Sequence, residues 1–157
     1  MFPLYRGQRS DNKEWLVGNL VVCKPYDLRK WGINLVEPLR TYIRSLNIEW
    51  DNKGRCYRWK EYEVSPESLS MFTNQTDKNN IAIFGSFEID ERITRGGDRV
   101  RTNNHKGIHY FDIFYTVDYC GALGAFTFEP RGETVSSVHC EASECCEIIG
   151  KQMDFKE

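Results

Sequence analysis

Ile108-His109-Tyr110-Phe111-Asp112-Ile113-Phe114-Tyr115-Thr116-Val117 decides the fold class of this chain. Aromatic and β-branched residues dominate the stretch, and such side chains fit a pleated surface best. Gly121–Gly124 then supplies a turn, and Ala125–Glu129 follows it. The expected reading is a strand, a turn and a second strand. Moving towards the N-terminus, Arg99–Thr102 is strand-like, Arg95-Gly96-Gly97-Asp98 breaks the pattern, and Ile81–Ile89 reads as a strand again. Asp77-Lys78-Asn79-Asn80 makes a turn in which asparagine can take a left-handed conformation. Ser65-Pro66-Glu67 reads as an N-cap, a proline at the first helical position and an acid in the first turn, with room for one or two helical turns before Thr73.

Further upstream, Asp51-Asn52-Lys53-Gly54 is a turn signal between alternating residues, so a hairpin across 42–64 is the preferred reading. A short helix after Pro38 competes with it, because Leu39, Tyr42, Ile43 and Leu46 fall at helical spacing, although Ile48 and Trp50 continue with period two. Residues 14–23 form an apolar run of strand length closed by Pro25. The fold class is therefore expected to be mainly β, with one or two short helices: short strands joined by turns, as in a small sandwich or barrel.

Composition narrows the function classes. The chain has 157 residues, enough for one domain or a domain with a small lobe, and 13% of them are aromatic. A net charge of -2 is far from the strongly basic profile of a dedicated nucleic-acid binder. No apolar run reaches the length of a membrane span. The opening Met-Phe-Pro-Leu-Tyr-Arg lacks a basic region followed by an apolar stretch, so no signal peptide and a cytoplasmic location are expected. In that compartment Asn74-Gln75-Thr76 carries no glycan, and Cys23, Cys56, Cys120, Cys140, Cys145 and Cys146 are expected as six reduced thiols.

Four stretches, in order, carry a family resemblance: Leu4-Tyr5-Arg6-Gly7 with Lys13–Gly18; Tyr62–Leu69 leading into Phe72–Asn80 and Ile83-Phe84; Gly97-Asp98-Arg99-Val100; and Cys146-Glu147-Ile148-Ile149-Gly150. Together they are similar to the YopX family of phage and prophage proteins, the second stretch being the most specific. The family usually has glycine where Asn74 and Asn80 stand, and asparagine is the commonest substitute where a backbone needs positive φ. It also runs directly from Ile-Phe into Glu-Gly-Asp, whereas Gly85–Gly96 intervene here and leave the local strand register open. The resemblance implies one YopX-like chain over residues 1–157, with an N-terminal β region over 1–90 and an SH3-like barrel lobe over 91–157. It brings no activity, cofactor or catalytic residue.

Candidate chemistry is sparse. His139, Cys140, Cys145 and Cys146 have the atoms for zinc but not the paired spacing, and neighbouring Cys145 and Cys146 point to opposite faces of a strand. His105 and His109, with Asp112 nearby, have the atoms for a metal or acid–base pair, yet Asn103, Asn104 and Gly107 mark a loop, and two histidines in water at a strand entrance are the preferred reading. Lys53, Arg55, Arg58 and Lys60 interleave with Tyr57 and Trp59, as in a platform for single strands, and Arg99 and Arg101 extend the basic set. The competing account places the aromatics inward and the cations in water. Residues 24–60 hold nine Lys/Arg against four Asp/Glu, whereas 129–157 hold three against seven. That asymmetry fits a basic patch, or head-to-tail contact between copies. The leading expectation is a non-catalytic phage or prophage accessory protein acting through protein–protein contacts, as a homo-oligomer or with another protein and without a membrane. A nucleic-acid-binding module is the alternative, and a small hydrolase using His105, His109 or the late cysteines is the third. No catalytic residue, metal ligand or cofactor is assigned.

Overall fold

The structure is a computed structural model and describes residues 3–24, 28–34, 38–51, 54–104, 107–117, 124–131 and 145–155. Six strands form one antiparallel sheet in the order β4-β3-β2-β1-β5-β6: β1 (Tyr5–Gln8), β2 (Trp15–Cys23), β3 (Arg40–Asp51), β4 (Gly54–Val64), β5 (Ser70–Thr76) and β6 (Ala82–Gly85). A hairpin of two-residue strands, β7 (Glu88–Ile89) and β8 (Arg92–Ile93), leads to the second sheet. That sheet has the order β11-β10-β9-β12, from β9 (Asp98–Asn104), β10 (Gly107–Val117), β11 (Gly124–Arg131) and β12 (Cys146–Lys151). Helical elements are short 3-10 turns over Leu28–Trp31, Pro66–Ser68 and Gln152–Asp154. Among the described residues no helix is long and apolar enough to cross a membrane, and no closed barrel is formed.

The mainly β expectation holds, and so does the hairpin about residues 51–54, with Thr41 opposite Val64 and Asp51 opposite Gly54. The helix after Pro38 does not form. Period two wins because β3 is flanked on both sides, and Thr41 and Ile43, two residues apart, are both fully buried. Ser65 does sit at the N-cap of a turn with Pro66 behind it, but its side chain makes no capping bond; Ser68 Oγ donates to Ser65 O instead. The run Ile81–Ile89 is not one strand. It ends as β6 at Gly85 and resumes as β7 after Ser86, whose backbone crosses to β10 by donating to Ile113 O and accepting from Tyr115 N.

Two aromatic-rich clusters follow from strand alternation. Ile43, Val64, Leu69 and Phe87 bury the inner face of β1–β5 under the short hairpin, while Ile83, Val100, Phe111, Ile113 and Cys146 fill the space between β6 and the second sheet. Ile83 comes from the first sheet and Tyr115, packed on the other cluster, from the second, so the regions 1–90 and 91–157 interlock. The Gly85–Gly96 insertion is the β7–β8 hairpin, and the 90/91 point falls in its turn, where Asp90 and Glu91 both take positive φ (50° and 59°).

Candidate functional site

The basic and aromatic residues of β4 lie on a ribbon. β2 pairs with β3 only from Cys23↔Arg40 to Asn19↔Arg44, and then turns away at Gly18 to pair with β1. The close crossing requires glycine, since a Cβ at position 18 would stand 2.4 Å from Arg44 O. β3 and β4 run on for seven more register pairs, from Ser45↔Lys60 to Asp51↔Gly54, with no third strand among the described residues. Leu46↔Trp59, Ile48↔Tyr57 and Trp50↔Arg55 share one parity of this ladder, and Ser45↔Lys60, Asn47↔Arg58 and Glu49↔Cys56 the other. Apart from Arg55 the first parity carries apolar residues, and apart from Cys56 the second carries polar ones.

Lys53 lies outside the described residues, and Arg55, Tyr57 and Arg58 are described by their backbone alone. Trp59 is 59% exposed. For Trp59 the inward placement of the aromatics therefore fails: it lies on the strand parity opposite that of the buried Ile43 and Val64. Next to it Arg44 pairs with Glu61 across the same face.

Arg99 and Arg101 stand elsewhere, on β9, and both are engaged with carboxylates. Arg99 donates through Nε to Asp112 Oδ1 at 2.7 Å and through Nη2 to Oδ2 at 3.1 Å, while its guanidinium lies 4.3 Å from the Phe155 ring centre. Arg101 Nη2 donates to Glu147 Oε2 at 2.5 Å, and Lys78 Nζ reaches the same oxygen at 3.1 Å. The Arg101 and Lys78 hydrogen bonds hold the Glu147 carboxyl below its ordinary value, and Glu147 in turn raises Arg101. The structure thus separates the seven described basic and aromatic candidates into a ribbon set and a β9 set.

The remaining candidates do not converge. His105, His139 and Cys140 lie outside the described residues. His109 faces Thr102 across the β9–β10 ladder, on the opposite strand parity from Asp112, so no histidine–carboxylate relay forms between them. Its Nε2 and the Thr102 hydroxyl are buried without hydrogen-bond partners. Among the described residues no three His, Cys, Asp or Glu side chains gather as metal ligands. Cys146 is buried in the core, and burial, with Asp77 nearby, pushes its thiol up to about 11. Cys145 is disulfide-bonded, which overturns the expectation of six reduced thiols; residue spacing along the chain carries no information on which cysteines meet in space. Titration of the unreduced, denatured protein should count no more than four thiols. Native labelling at neutral pH should modify exposed Cys23 and spare Cys146.

Reading along the sequence missed the group that fastens the two sheets. Asp98 is 1% exposed, accepts Arg6 Nη2 at 2.7 Å on Oδ1 and takes the Phe84 N–H at 2.8 Å on Oδ2. Burial raises its carboxyl above the ordinary value, and the Arg6 guanidinium opposes that rise. Arg6 also donates to Gly96 O and stacks between Phe84 (4.4 Å) and Trp15 (5.4 Å). Beside this pair Gln152 Nε2 donates to Ile113 O, Ser86 Oγ donates to Gln152 Oε1, and the Gly97 N–H donates to Ser86 Oγ. Gly96 is required by proximity: a Cβ there would stand 1.7 Å from Ser68 O. Arg6 and Asp98 both fall in stretches that carry the family resemblance, but nothing in either stretch says that they meet, and Gly-Gly-Asp reads equally well as a plain turn. No family model, curated protein or solved structure matches this chain.

Proposed function

We propose that this is a non-catalytic accessory protein that works through protein–protein contacts, in the first place with other copies of itself. The observation that carries this is the β3–β4 ribbon, which continues for seven register pairs past the last strand that supports it. A lone two-stranded ribbon is at best marginally stable in water, and an open edge is a template for pairing. Its alternate apolar positions and the exposed Trp59 give such a partner something to cover. Light scattering across protein concentration tests this. The full chain should gain mass with concentration, and a variant with residues 46–59 replaced by an Asn-Gly turn, so that the register pair Ser45↔Lys60 flanks it, should stay monomeric. A full chain that is monomeric at high concentration and low salt would sink the reading.

The YopX-like assignment, the phage or prophage setting, the cytoplasmic location and an SH3-like character for residues 91–157 belong to the same proposal. What supports the family reading is local: Asn74 and Asn80, standing where the family has glycine, take φ of 62° and 64°. Asn74 sits where the β5–β6 register slips between Phe72 and Thr76. What supports the SH3-like reading is the β9–β10–β11 meander with β12 returning beside β9. A second reading, single-stranded nucleic acid on the ribbon, is favoured by the exposure of Trp59, because an aromatic face open to water is what a base stacks on. Retention on heparin that falls steeply with salt would favour it over self-association. A hydrolase reading finds no support in the placement of His109, Cys145 or Cys146.

A further inference from the structure

The backbone of β4 shows where its edge is free. Ser10 N donates to Glu63 O at 3.1 Å, Ser65 N donates to Gln8 O at 3.0 Å, and Arg9 bridges Val64. The end of β4 is thus already paired with the continuation of β1. From Gly54 to Tyr62 no strand among the described residues pairs with that edge. In an antiparallel ladder the N–H and C=O of one residue point to the same side, and the side alternates along the strand. Glu63 O points away from β3, and the β3–β4 register runs without a slip from Thr41↔Val64 to Asp51↔Gly54. Glu61, Trp59, Tyr57 and Arg55 therefore also turn their backbone groups outward, and the residues between them bond to β3.

A strand that pairs there with its own copy about a two-fold axis has few registers to choose from. Residues face each other only if both turn their backbone groups towards the partner or both turn them away. The open edge overlaps itself completely when the axis passes Arg58, and that register meets the parity rule. It sets Tyr57 opposite Trp59 and Arg55 opposite Glu61 as hydrogen-bonded pairs, one aromatic and one of opposite charge. An axis at Tyr57 leaves Glu61 without a counterpart on β4, and an axis at Trp59 sets Arg58 opposite Lys60 on both sides of it. Arg58 opposite its own copy is the one like-charge pair of the centred register.

We infer that the partner on this edge is β4 of a second copy, paired antiparallel about a two-fold axis at Arg58. The inference rests on the self-association reading above and sharpens it: the contact is isologous and closes on itself, instead of running head to tail. The two ribbons then form one continuous sheet, which gives each of them the further strands that a lone ribbon lacks. Tyr57 and Trp59 of both copies fall on one face of that sheet, opposite the face of the buried Ile43 and Val64.

Two substitutions test it, one read by light scattering and the other by non-reducing electrophoresis. The Tyr57 N–H points outward, so Tyr57→Pro removes a bond of the dimer and none of the β3–β4 ladder. Its circular dichroism should stay that of a β protein, and the gain in mass with concentration should be lost. Arg58 meets its own copy as a non-hydrogen-bonded pair, with Cα atoms about 4.5 Å apart, inside the span of a disulfide. In a Cys56→Ser parent, Arg58→Cys should therefore cross-link to a dimer under mild oxidation, while the parent does not. That parent is needed because Cys56 would face position 58 if the axis lay at Tyr57. Suppose the wild type gains mass, but Tyr57→Pro still associates or Arg58→Cys yields no more cross-linked dimer than its parent. Either result would overturn this pairing and leave self-association standing. A wild-type chain that stays monomeric would remove both.

Discussion

The molecule contains a very long hairpin and a very short one, and the short one is the better fastened. β3 and β4 share eleven register pairs, but the outer seven are held by that ladder alone among the described residues. β7 and β8 share two pairs, yet the residues that flank them are tied to one another and to other elements. Thr94 N donates to Phe87 O and Phe87 N to Thr94 Oγ1, Arg95 N donates to Glu67 O, and Met153 N donates to Arg95 O. Phe87 itself is buried in the core beside Tyr5, at a ring distance of 5.7 Å. Pairing length therefore says little about local stability here; what matters is how many other elements the backbone and side chains reach.

Breaking the short hairpin should give the largest effect. Phe87→Ala removes a buried aromatic from the cluster under the first sheet and is expected to cost about 3–5 kcal/mol in denaturant unfolding. Thr94→Val keeps the shape but leaves the Phe87 N–H buried without an acceptor, which costs roughly 1–3 kcal/mol. Trp59→Ala on the long hairpin should change monomer stability by no more than about 0.5 kcal/mol, because the side chain is already in water. If Trp59→Ala instead cost as much as Phe87→Ala at low protein concentration, the ribbon would be docked against its own chain and the contrast would fail.

Much of the long hairpin was legible and almost none of the short one. Asp51-Asn52-Lys53-Gly54 between alternating residues is a signal within a few positions, and β3 and β4 form around it. The short hairpin turns on Asp90-Glu91, neither of them the asparagine or glycine that a two-residue turn with positive φ usually uses, so nothing in the residues announced it. Its anchors are distant in sequence: Ser86 reaches Gln152, 66 residues away, and Arg6 reaches Asp98, 92 away. Such contacts depend on how sheets stack, which alternation along a strand does not encode. The same gap separates Arg99 and Arg101 from the ribbon residues they were grouped with. The basic composition was visible, but Asp112 and Glu147 as their partners follow only from the β9–β10 and β9–β12 registers.

The smallest expected effect distinguishes the exposed ion pair on the second sheet from the buried one between the sheets. Glu147 is held below its ordinary value of 4.5 by hydrogen bonds from Arg101 and Lys78. Its stabilisation is therefore present above pH 4.5 and lost as the pH falls through the lower folded value. Asp98 has the opposite sign, because burial raises its carboxyl from 3.8. As the pH rises from 3.8, the unfolded chain ionises Asp98 before the folded one does, and stability declines over that window. The two slopes oppose each other in mildly acidic solution. Glu147→Gln should remove the acid-side loss and leave the Asp98 decline visible, so that the thermal midpoint of the variant drops less than that of the wild type between pH 5 and pH 3, about the range set by the two ordinary values. Salt should shrink the difference, since Glu147 is solvent-accessible and its partners are screened. Melting curves at low and high ionic strength measure both effects. Parallel curves for the two proteins at low salt would mean that Glu147 gains nothing from Arg101 and Lys78 on folding.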